Sequence, residues 1–72
     1  MNQLKLLRVR AGLTQDELAK RVNVDQSAVS RWEKGENIPL KKWIPALARA
    51  LDVTEAELEE VREQYAENVT GG

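Results

Sequence analysis

The side chains best suited to chemistry in this sequence are concentrated between positions 26 and 34, in the segment QSAVSRWEK. On a helix, at about 100° per residue, Val29 and Trp32 point to one side. The opposite side and the start of the helix carry Gln26, Ser27, Ser30, Arg31 and Lys34, with no acid among them. A Gln amide can bind adenine, an Arg guanidinium can bind guanine, and a Ser hydroxyl can reach bases or phosphates. Ala28 on the flank can contact a thymine methyl, so the surface suits nucleic acid, unless it is an ordinary polar face turned to solvent.

Residue types suited to catalysis or to metal binding are scarce. The chain has no His and no Cys, which removes the commonest general base, the thiol nucleophile and nearly all zinc and iron–sulfur sites. The four glycines are Gly12, Gly35, Gly71 and Gly72, and they form no phosphate-binding loop. We therefore expect no enzymatic activity, no metal, no cofactor and no small-molecule ligand. No set of residues in the sequence supports a hydrolase that would use carboxylates alone.

Charge is divided unevenly along the chain. Residues 1–51 carry ten Lys and Arg against five Asp and Glu, a net charge of +5, whereas residues 52–72 carry one Arg against seven acids, a net charge of −6. A basic body with an acidic end can present a positive face to phosphates, although a solvated surface of uneven charge gives the same counts. The absence of Cys, of a signal peptide and of an apolar run near the ~18 residues of a membrane span predicts a cytoplasmic protein.

Five helices and no strand are predicted from apolar spacing and capping residues. The helices cover about residues 2–11, 15–22, 26–34, a segment that ends near 51, and 55–67, with 68–72 as a frayed tail. Capping boxes are predicted at Thr14-x-x-Glu17 and Thr54-x-x-Glu57, an N-cap at Asp25, and left-handed helix ends at Gly12, Asn23 and Gly35. The fourth helix begins near Trp43 with Pro45 in its first turn, or it begins earlier and is kinked.

Residues 15–34 have the apolar spacing of two short helices that cross steeply, with Leu18, Val22, Val24, Val29 and Trp32 as contacts and Ala19 at the close approach. The segment resembles the Cro-type (phage repressor or xenobiotic-response-element) helix-turn-helix family, and the likeness covers about residues 3–60. The matching residues are Arg8-x-x-Ala11-Gly12-Leu13-Thr14-Gln15, Glu17-Leu18-Ala19, Val24, Val29-Ser30-Arg31-Trp32-Glu33, Gly35, Pro39, Leu47-Ala48-x-x-Leu51 and Leu58. Asn23 stands where the family usually has Gly, and Pro45 is unusual.

The resemblance implies an all-α fold, a compact five-helix bundle of the phage-repressor DNA-binding domain type that occupies residues 1–67. It implies base contacts at the first positions of the third helix and at Arg31, which agrees with the helical geometry at Gln26, Ser27, Ala28 and Arg31. It also implies that the following loop grips the sugar–phosphate backbone, and an ion pair between Arg8 and Glu33. The candidates for phosphate contacts are Gln15, Ser30, Lys34, Asn37, Lys41, Lys42 and Arg10, although each lysine is as consistent with plain surface.

The leading hypothesis is a sequence-specific regulator of transcription, a repressor that occupies an operator in double-stranded DNA, with no sensor domain in the sequence. Val61 and Tyr65 continue the apolar row that starts at Leu58, and they are candidates for a homodimer contact. A two-fold dimer would match a palindromic operator with half-sites about 34 Å apart. The alternative for this helix is an acidic tail that has no partner. Trp43 is consistent either with the core or with a dimer contact. The alternative function is a protein-interaction module of the same fold (antirepressor, antitoxin or adaptor) that acts through the acidic C-terminal helix.

Overall fold

The structure, a computed structural model, describes the backbone of residues 3–70 and the side chains of residues 3–63. This part of the chain forms five α-helices, one short 3₁₀ helix and no strand, which confirms the predicted all-α fold. The α-helices are α1 (Gln3–Arg10), α2 (Gln15–Val22), α3 (Gln26–Lys34), α4 (Ile44–Leu51) and α5 (Glu55–Thr70), and the 3₁₀ helix Lys41–Trp43 precedes α4. None of the described helices is long and apolar enough to cross a membrane.

Local hydrogen bonds account for the start of α2. Glu17 N donates to Thr14 Oγ1 at 3.1 Å, and Thr14 N donates to Glu17 Oε1 at 2.9 Å, which confirms the predicted capping box. The pKa of Glu17 lies below its ordinary value, chiefly because the Thr14 backbone N–H donates to the carboxylate. At the start of α5, Glu57 N likewise donates to Thr54 Oγ1 at 3.1 Å. These two hydroxyl groups each satisfy an amide that has no partner within its helix.

The turn between α2 and α3 also follows the sequence pattern, with one difference. Asn23 has a left-handed backbone with φ of 67°, and Gly35 ends α3 with φ of 80°. Asp25 lies at the N-cap of α3 with an extended backbone, but its side chain makes no capping hydrogen bond. The predicted N-cap position of Asp25 is therefore confirmed, but the capping hydrogen bond expected from its side chain is not made.

Pro45 lies in the first turn of α4, and this placement decides between the two predicted helix starts. The 3₁₀ helix before it is closed by a hydrogen bond from Trp43 N to Leu40 O of 2.9 Å. Since the amides of a first turn have no intrahelical acceptor, a residue without an N–H fits there and α4 is not kinked. At the other end Asp52 adopts a left-handed backbone with φ of 57°, which was not predicted.

The last helix, α5, is longer than predicted, and one of its side chains is hydrogen-bonded to the loop that follows α3. It continues to Thr70 instead of ending near Glu67, because neither Gly nor Pro occurs between that residue and Gly71. Arg62 Nε donates to the Pro39 carbonyl oxygen at 3.0 Å. The only basic side chain of α5 is therefore bound to the protein itself.

One apolar core holds the helices together. α2 packs against α3 and α4, α1 packs against the same two helices, and α5 packs against α4. The buried apolar residues are Leu4, Leu13, Leu18, Ala19, Val22, Val29, Trp32, Ile44, Leu47, Ala48, Leu51, Leu58 and Val61. Trp43 is half-buried and packs against this core.

Val61 was predicted to contact a second copy of the chain, and the structure corrects this prediction. Its exposure is 6%, and it belongs to the core of the single chain. Val61 lies one turn after the buried Leu58, so both side chains point to the same face of α5. The monomer thus uses Val61 to close its own interior. The other predicted dimer residue, Tyr65, lies outside the residues whose side chains are described.

Candidate nucleic-acid interface

The two sides of α3 differ sharply in burial and in chemistry. Val29, Trp32 and Glu33 are buried. The outer face of α3, as we call it, consists of the exposed side chains Gln26, Ser27, Arg31 and Lys34. Glu33 is the only acid in the helix, and because it is buried the outer face of α3 bears no negative charge.

The flanks of α3 are half-buried and carry smaller side chains. Ala28 is half-buried on one edge of the outer face. Ser30, which we predicted to point outward with the outer face, is half-buried as well. At about 100° per residue, Ser30 lies only one position from Val29 and falls on the flank toward Glu33. Its hydroxyl is therefore at the border between the core and the surface.

A buried ion pair joins α1 to α3. Arg8 Nε lies 2.6 Å from Glu33 Oε2, and Arg8 Nη2 donates to Glu33 Oε1 at 3.2 Å. Arg8 Nη1 donates to the Leu13 carbonyl oxygen at 2.7 Å. The side chains of Arg8 and Glu33 are only 11% and 4% exposed. A planar guanidinium that binds a carboxylate through two donors fixes both distance and angle, so the pair holds α3 in place against α1.

Gln15 connects this ion pair to the outer face of α3. Its Nε2 donates to Glu33 Oε1 at 3.0 Å, and its Oε1 accepts from Gln26 Nε2 at 3.5 Å. Gln15 is half-buried at the first position of α2. We predicted Gln15 as a phosphate contact, whereas the structure directs both ends of its amide toward the protein's own groups.

The remaining side chains predicted to contact phosphates lie in the segment that follows α3 or at the end of α1. Asn37, Lys41 and Lys42 are exposed in the loop and the 3₁₀ helix after α3, and Arg10 is exposed in the last turn of α1. Lys42 Nζ lies 5.0 Å from the centre of the Trp43 ring, within the range of a cation–π contact.

A groove runs along one side of α3. Its lining includes Ser27 and Arg31 from the helix, Asn37 and Leu40 from the loop, and Trp43. Leu40 is 57% exposed, which is high for a large apolar side chain. The loop therefore presents a polar side chain, Asn37, and an apolar one, Leu40, next to Arg31. Across the part of the chain that the structure describes, no group of three or more acidic side chains is placed to hold a metal ion.

The packing of α2 against α3, with a three-residue turn between them, is the arrangement of a helix-turn-helix. The family model described as "Helix-turn-helix domain" matches residues 2–61. The chain belongs to the helix-turn-helix domain family. In this helix-turn-helix domain, α2 and α3 are the two helices of the motif, and residues 23–25 are its turn.

A curated protein is similar in sequence to this chain. The helix-turn-helix domain is 34% identical, over 56 residues, to a protein of Enterococcus faecalis described as "HTH-type transcriptional activator BcrR". The aligned part is 78% of this chain and 28% of that protein, so the chain spans little more than a quarter of the relative's length. No solved structure matches the chain.

Neither the contact between Gln15 and Glu33 nor the contact between Arg62 and Pro39 was predicted from the sequence. Gln15 and Glu33 are 18 positions apart in the sequence, and Pro39 and Arg62 are 23 positions apart. No spacing rule within one helix relates such positions. A partial signal did exist for Gln15, because Glu33 was expected to pair with Arg8, and one carboxylate can accept hydrogen bonds from more than one donor.

Proposed function

We propose that this protein is a sequence-specific regulator of transcription that inserts α3 into the major groove of double-stranded DNA. The main support is the acid-free outer face of α3, which is exposed while Val29, Trp32 and Glu33 anchor the other side of the same helix. The major groove is wide enough for an α-helix, and polar side chains on an exposed face can reach base edges there. Membership of the helix-turn-helix family and the relative described as a transcriptional activator support the same function.

Base recognition is assigned to Gln26, Ser27, Ala28 and Arg31. Gln26 can bind adenine through both ends of its amide, and Arg31 can bind guanine O6 and N7 through two donors. Ser27 lies beside Gln26 and can donate or accept, while the methyl group of Ala28 suits the methyl of thymine. Gln26, Ser27 and Arg31 are exposed and need no rearrangement of the core to reach a groove.

Phosphate binding is assigned to the groups around the outer face of α3. Lys34, Asn37, Lys41 and Lys42 follow one another along α3 and the loop beyond it, and they can contact one strand. Ser30 and Gln15 complete this set, and Gln15 acts through the backbone N–H groups at the start of α2 because its side-chain amide contacts Glu33 and Gln26. Arg10, in the last turn of α1, is a separate candidate that lies beside Asp52 and Val53. Phosphate contacts set register and most of the affinity, whereas sequence preference comes from the base contacts.

We further propose that the domain is of the Cro type and represses by occupying a palindromic operator. A homodimer would place two copies of α3 about 34 Å apart on one side of the duplex. Since Val61 is buried in the monomer, the dimer contact is reassigned to the later part of α5, with Tyr65 as its candidate. The relative's description as an activator indicates that a domain of this kind also occurs in proteins that raise transcription.

The direct test is to select bound sequences from a pool of random DNA duplexes. The wild type is expected to enrich a defined sequence, and Arg31→Ala is expected to lose about 1–3 kcal/mol of preference at one base pair of each half-site and at no other position. The control is Arg49→Ala, because Arg49 is an exposed arginine on α4 whose surroundings include Asp52 and Glu55. The proposal would be contradicted if the wild type enriched no sequence, or if Arg31→Ala and Arg49→Ala changed the base preference equally.

The acidic α5 favours a second candidate, a protein-interaction module of the same fold. Its only basic side chain, Arg62, is bound to the Pro39 carbonyl, and Glu60 and Glu63 are exposed. The salt dependence of duplex binding separates the two functions. DNA binding through phosphates must weaken steeply as salt concentration rises, with a slope of about −0.9 per phosphate neutralised. A protein that is indifferent to DNA at low ionic strength would favour the interaction module.

A further inference from the structure

The loop that follows α3, residues 35–40, is held at both of its ends by backbone hydrogen bonds. At its start, Glu36 N and Asn37 N donate to the Arg31 carbonyl oxygen at 3.0 and 3.5 Å. At its end, Trp43 N donates to the Leu40 carbonyl oxygen at 2.9 Å. These bonds join the loop to α3 on one side and to the 3₁₀ helix on the other.

Between these two ends, the loop is held by the last helix. Arg62 Nε in α5 donates to the Pro39 carbonyl oxygen at 3.0 Å, and Pro39 is itself buried. Pro39 and Arg62 line one small apolar cavity together with Leu58 and Val61, which are core residues of α5. The middle of the loop is therefore fixed by an apolar contact and by one hydrogen bond from a charged donor.

We propose that Arg62 is a positioning residue for DNA binding. By holding the middle of the loop, Arg62 determines where Lys41 and Lys42 lie, since these lysines follow Pro39 by two and three positions. Both lysines are proposed phosphate contacts. The acidic α5 thus controls how firmly the domain binds the DNA backbone without contacting it. This inference rests on the proposed DNA-binding function.

The Pro39 carbonyl group needs a donor because it lies at the border of the core. Buried backbone carbonyl groups are nearly always hydrogen-bonded, and one that loses its donor must move toward water or stay unsatisfied at a cost. A guanidinium is a strong donor to such an oxygen because it carries a full charge. If Arg62 is replaced by an apolar residue, the loop should therefore shift outward and carry the two lysines with it.

Arg62 is poorly placed to contact a phosphate itself. Its side chain is half-buried, and its Nε is already bound to the protein. Its neighbours along α5 include Glu59, Glu60 and Glu63. Negative charges around Arg62 repel a DNA backbone, so an effect of Arg62 on DNA binding is expected to pass through the loop.

The first experiment measures amide hydrogen exchange by NMR in the DNA-free protein, for the wild type and for Arg62→Met. Met has a similar length but no N–H donor. In this variant the Glu36 and Trp43 amides should exchange about tenfold faster or more, the ratio expected for loss of a hydrogen bond to a charged group. The matched control is the Val24 amide, which donates to the Ala19 carbonyl oxygen in the turn before α3 and should be unchanged.

The second experiment measures binding to the selected duplex over a range of salt concentrations. Arg62→Met should weaken binding to all duplexes alike and make the salt slope shallower by about 1–2, at about 0.9 for each phosphate contact that is lost. Arg49→Met removes the same charge from an exposed site on α4 and should leave the slope unchanged. Arg62→Lys keeps a charged donor and should recover part of both the slope and the amide protection. It carries the comparison if thermal unfolding shows that Arg62→Met is not folded.

A double-variant cycle shows whether Arg62 acts through the two lysines. In the Lys41→Ala/Lys42→Ala background, Arg62→Met should change the salt slope no further, because the contacts that Arg62 positions are already gone. Effects that add in full would overturn the proposal. An Arg62→Lys variant that regains the slope while its loop amides stay unprotected would also overturn it, since Arg62 would then act by its charge alone.

Failure of this inference and failure of the proposed function give different results. If the wild type binds duplexes with a steep salt slope, and Arg62→Met matches it in loop exchange and in binding, Arg62 has no positioning role and the DNA-binding function stands. Equal acceleration at Val24 and at the loop amides would mean that Arg62 supports the whole fold, which also contradicts the inference. A wild type that binds no duplex at low ionic strength would overturn both proposals.

Discussion

Replacing Arg8 by Met should destabilise the protein more than most single substitutions at its surface would. The change removes three donors, two on Glu33 and one on the Leu13 carbonyl, and leaves a carboxylate that is 4% exposed without its cation. Breaking a buried ion pair in this way costs about 3–5 kcal/mol. A chain of 72 residues has a total stability of about 4–11 kcal/mol at the usual value per residue. We therefore expect the melting temperature to fall by at least about 12 °C, at ~4–8 °C per kcal/mol.

Urea unfolding followed by circular dichroism measures this loss. The double variant Arg8→Met/Glu33→Met should regain most of it, since replacing both partners by apolar groups removes the unpaired charge. The control is Lys20→Met, which breaks the pair between Lys20 and Asp16, whose side chains are 77% and 57% exposed. That substitution should cost less than about 0.5 kcal/mol. A loss below about 1 kcal/mol for Arg8→Met, or no recovery in the double variant, would refute the reasoning.

Three further predictions concern stability. The lowered pKa of Glu17 means that its contribution is present above the ordinary value of 4.5 and is lost as pH falls through the lowered pKa; Glu17→Gln should flatten this acid limb in urea midpoints, and an unchanged limb would count against it. Gly35→Ala places a side chain at φ of 80° with no atom within 4 Å, so calorimetry should show a cost of about 1 kcal/mol from the backbone alone; no loss would be a contradiction. Leu47→Ala, at a fully buried position, should cost about 2–5 kcal/mol in chemical unfolding, and a smaller loss would mean that the core there is loose.

Features that depend on neighbouring residues could be predicted from the sequence. The bounds of α2 follow from Thr14 and Glu17 at one end and from Asn23 at the other, all of which act within one helical turn. The outer and inner faces of α3 follow from the period of the helix. The buried positions of Val29 and Trp32 were confirmed for this reason.

Features that depend on how distant helices meet could not be predicted in the same way. The periodic row that contains Val61 fits an intermolecular contact as well as the monomer core, and only the packing of α5 on α4 decides that this residue is buried. Ser30 lies on a flank, where a small rotation of the helix changes exposure. The amides of Gln15 and Gln26 meet because α2 crosses α3, a relation that no local pattern contains. The left-handed Asp52 is an exception, a local feature that was overlooked because Asn and Gly are more usual there.

The central claim is that α3 reads the major groove, and methylation interference on the selected duplex tests it most directly. Methyl groups on guanine N7 project into the major groove, where N7 is one of the two acceptors assigned to Arg31. We predict that methylation of particular guanines blocks the wild type, and that Arg31→Ala loses this sensitivity at one guanine of each half-site while keeping it elsewhere. Binding that tolerates N7 methylation at every guanine of the selected site, or the same interference pattern in Arg31→Ala, would contradict the placement of α3 in the groove.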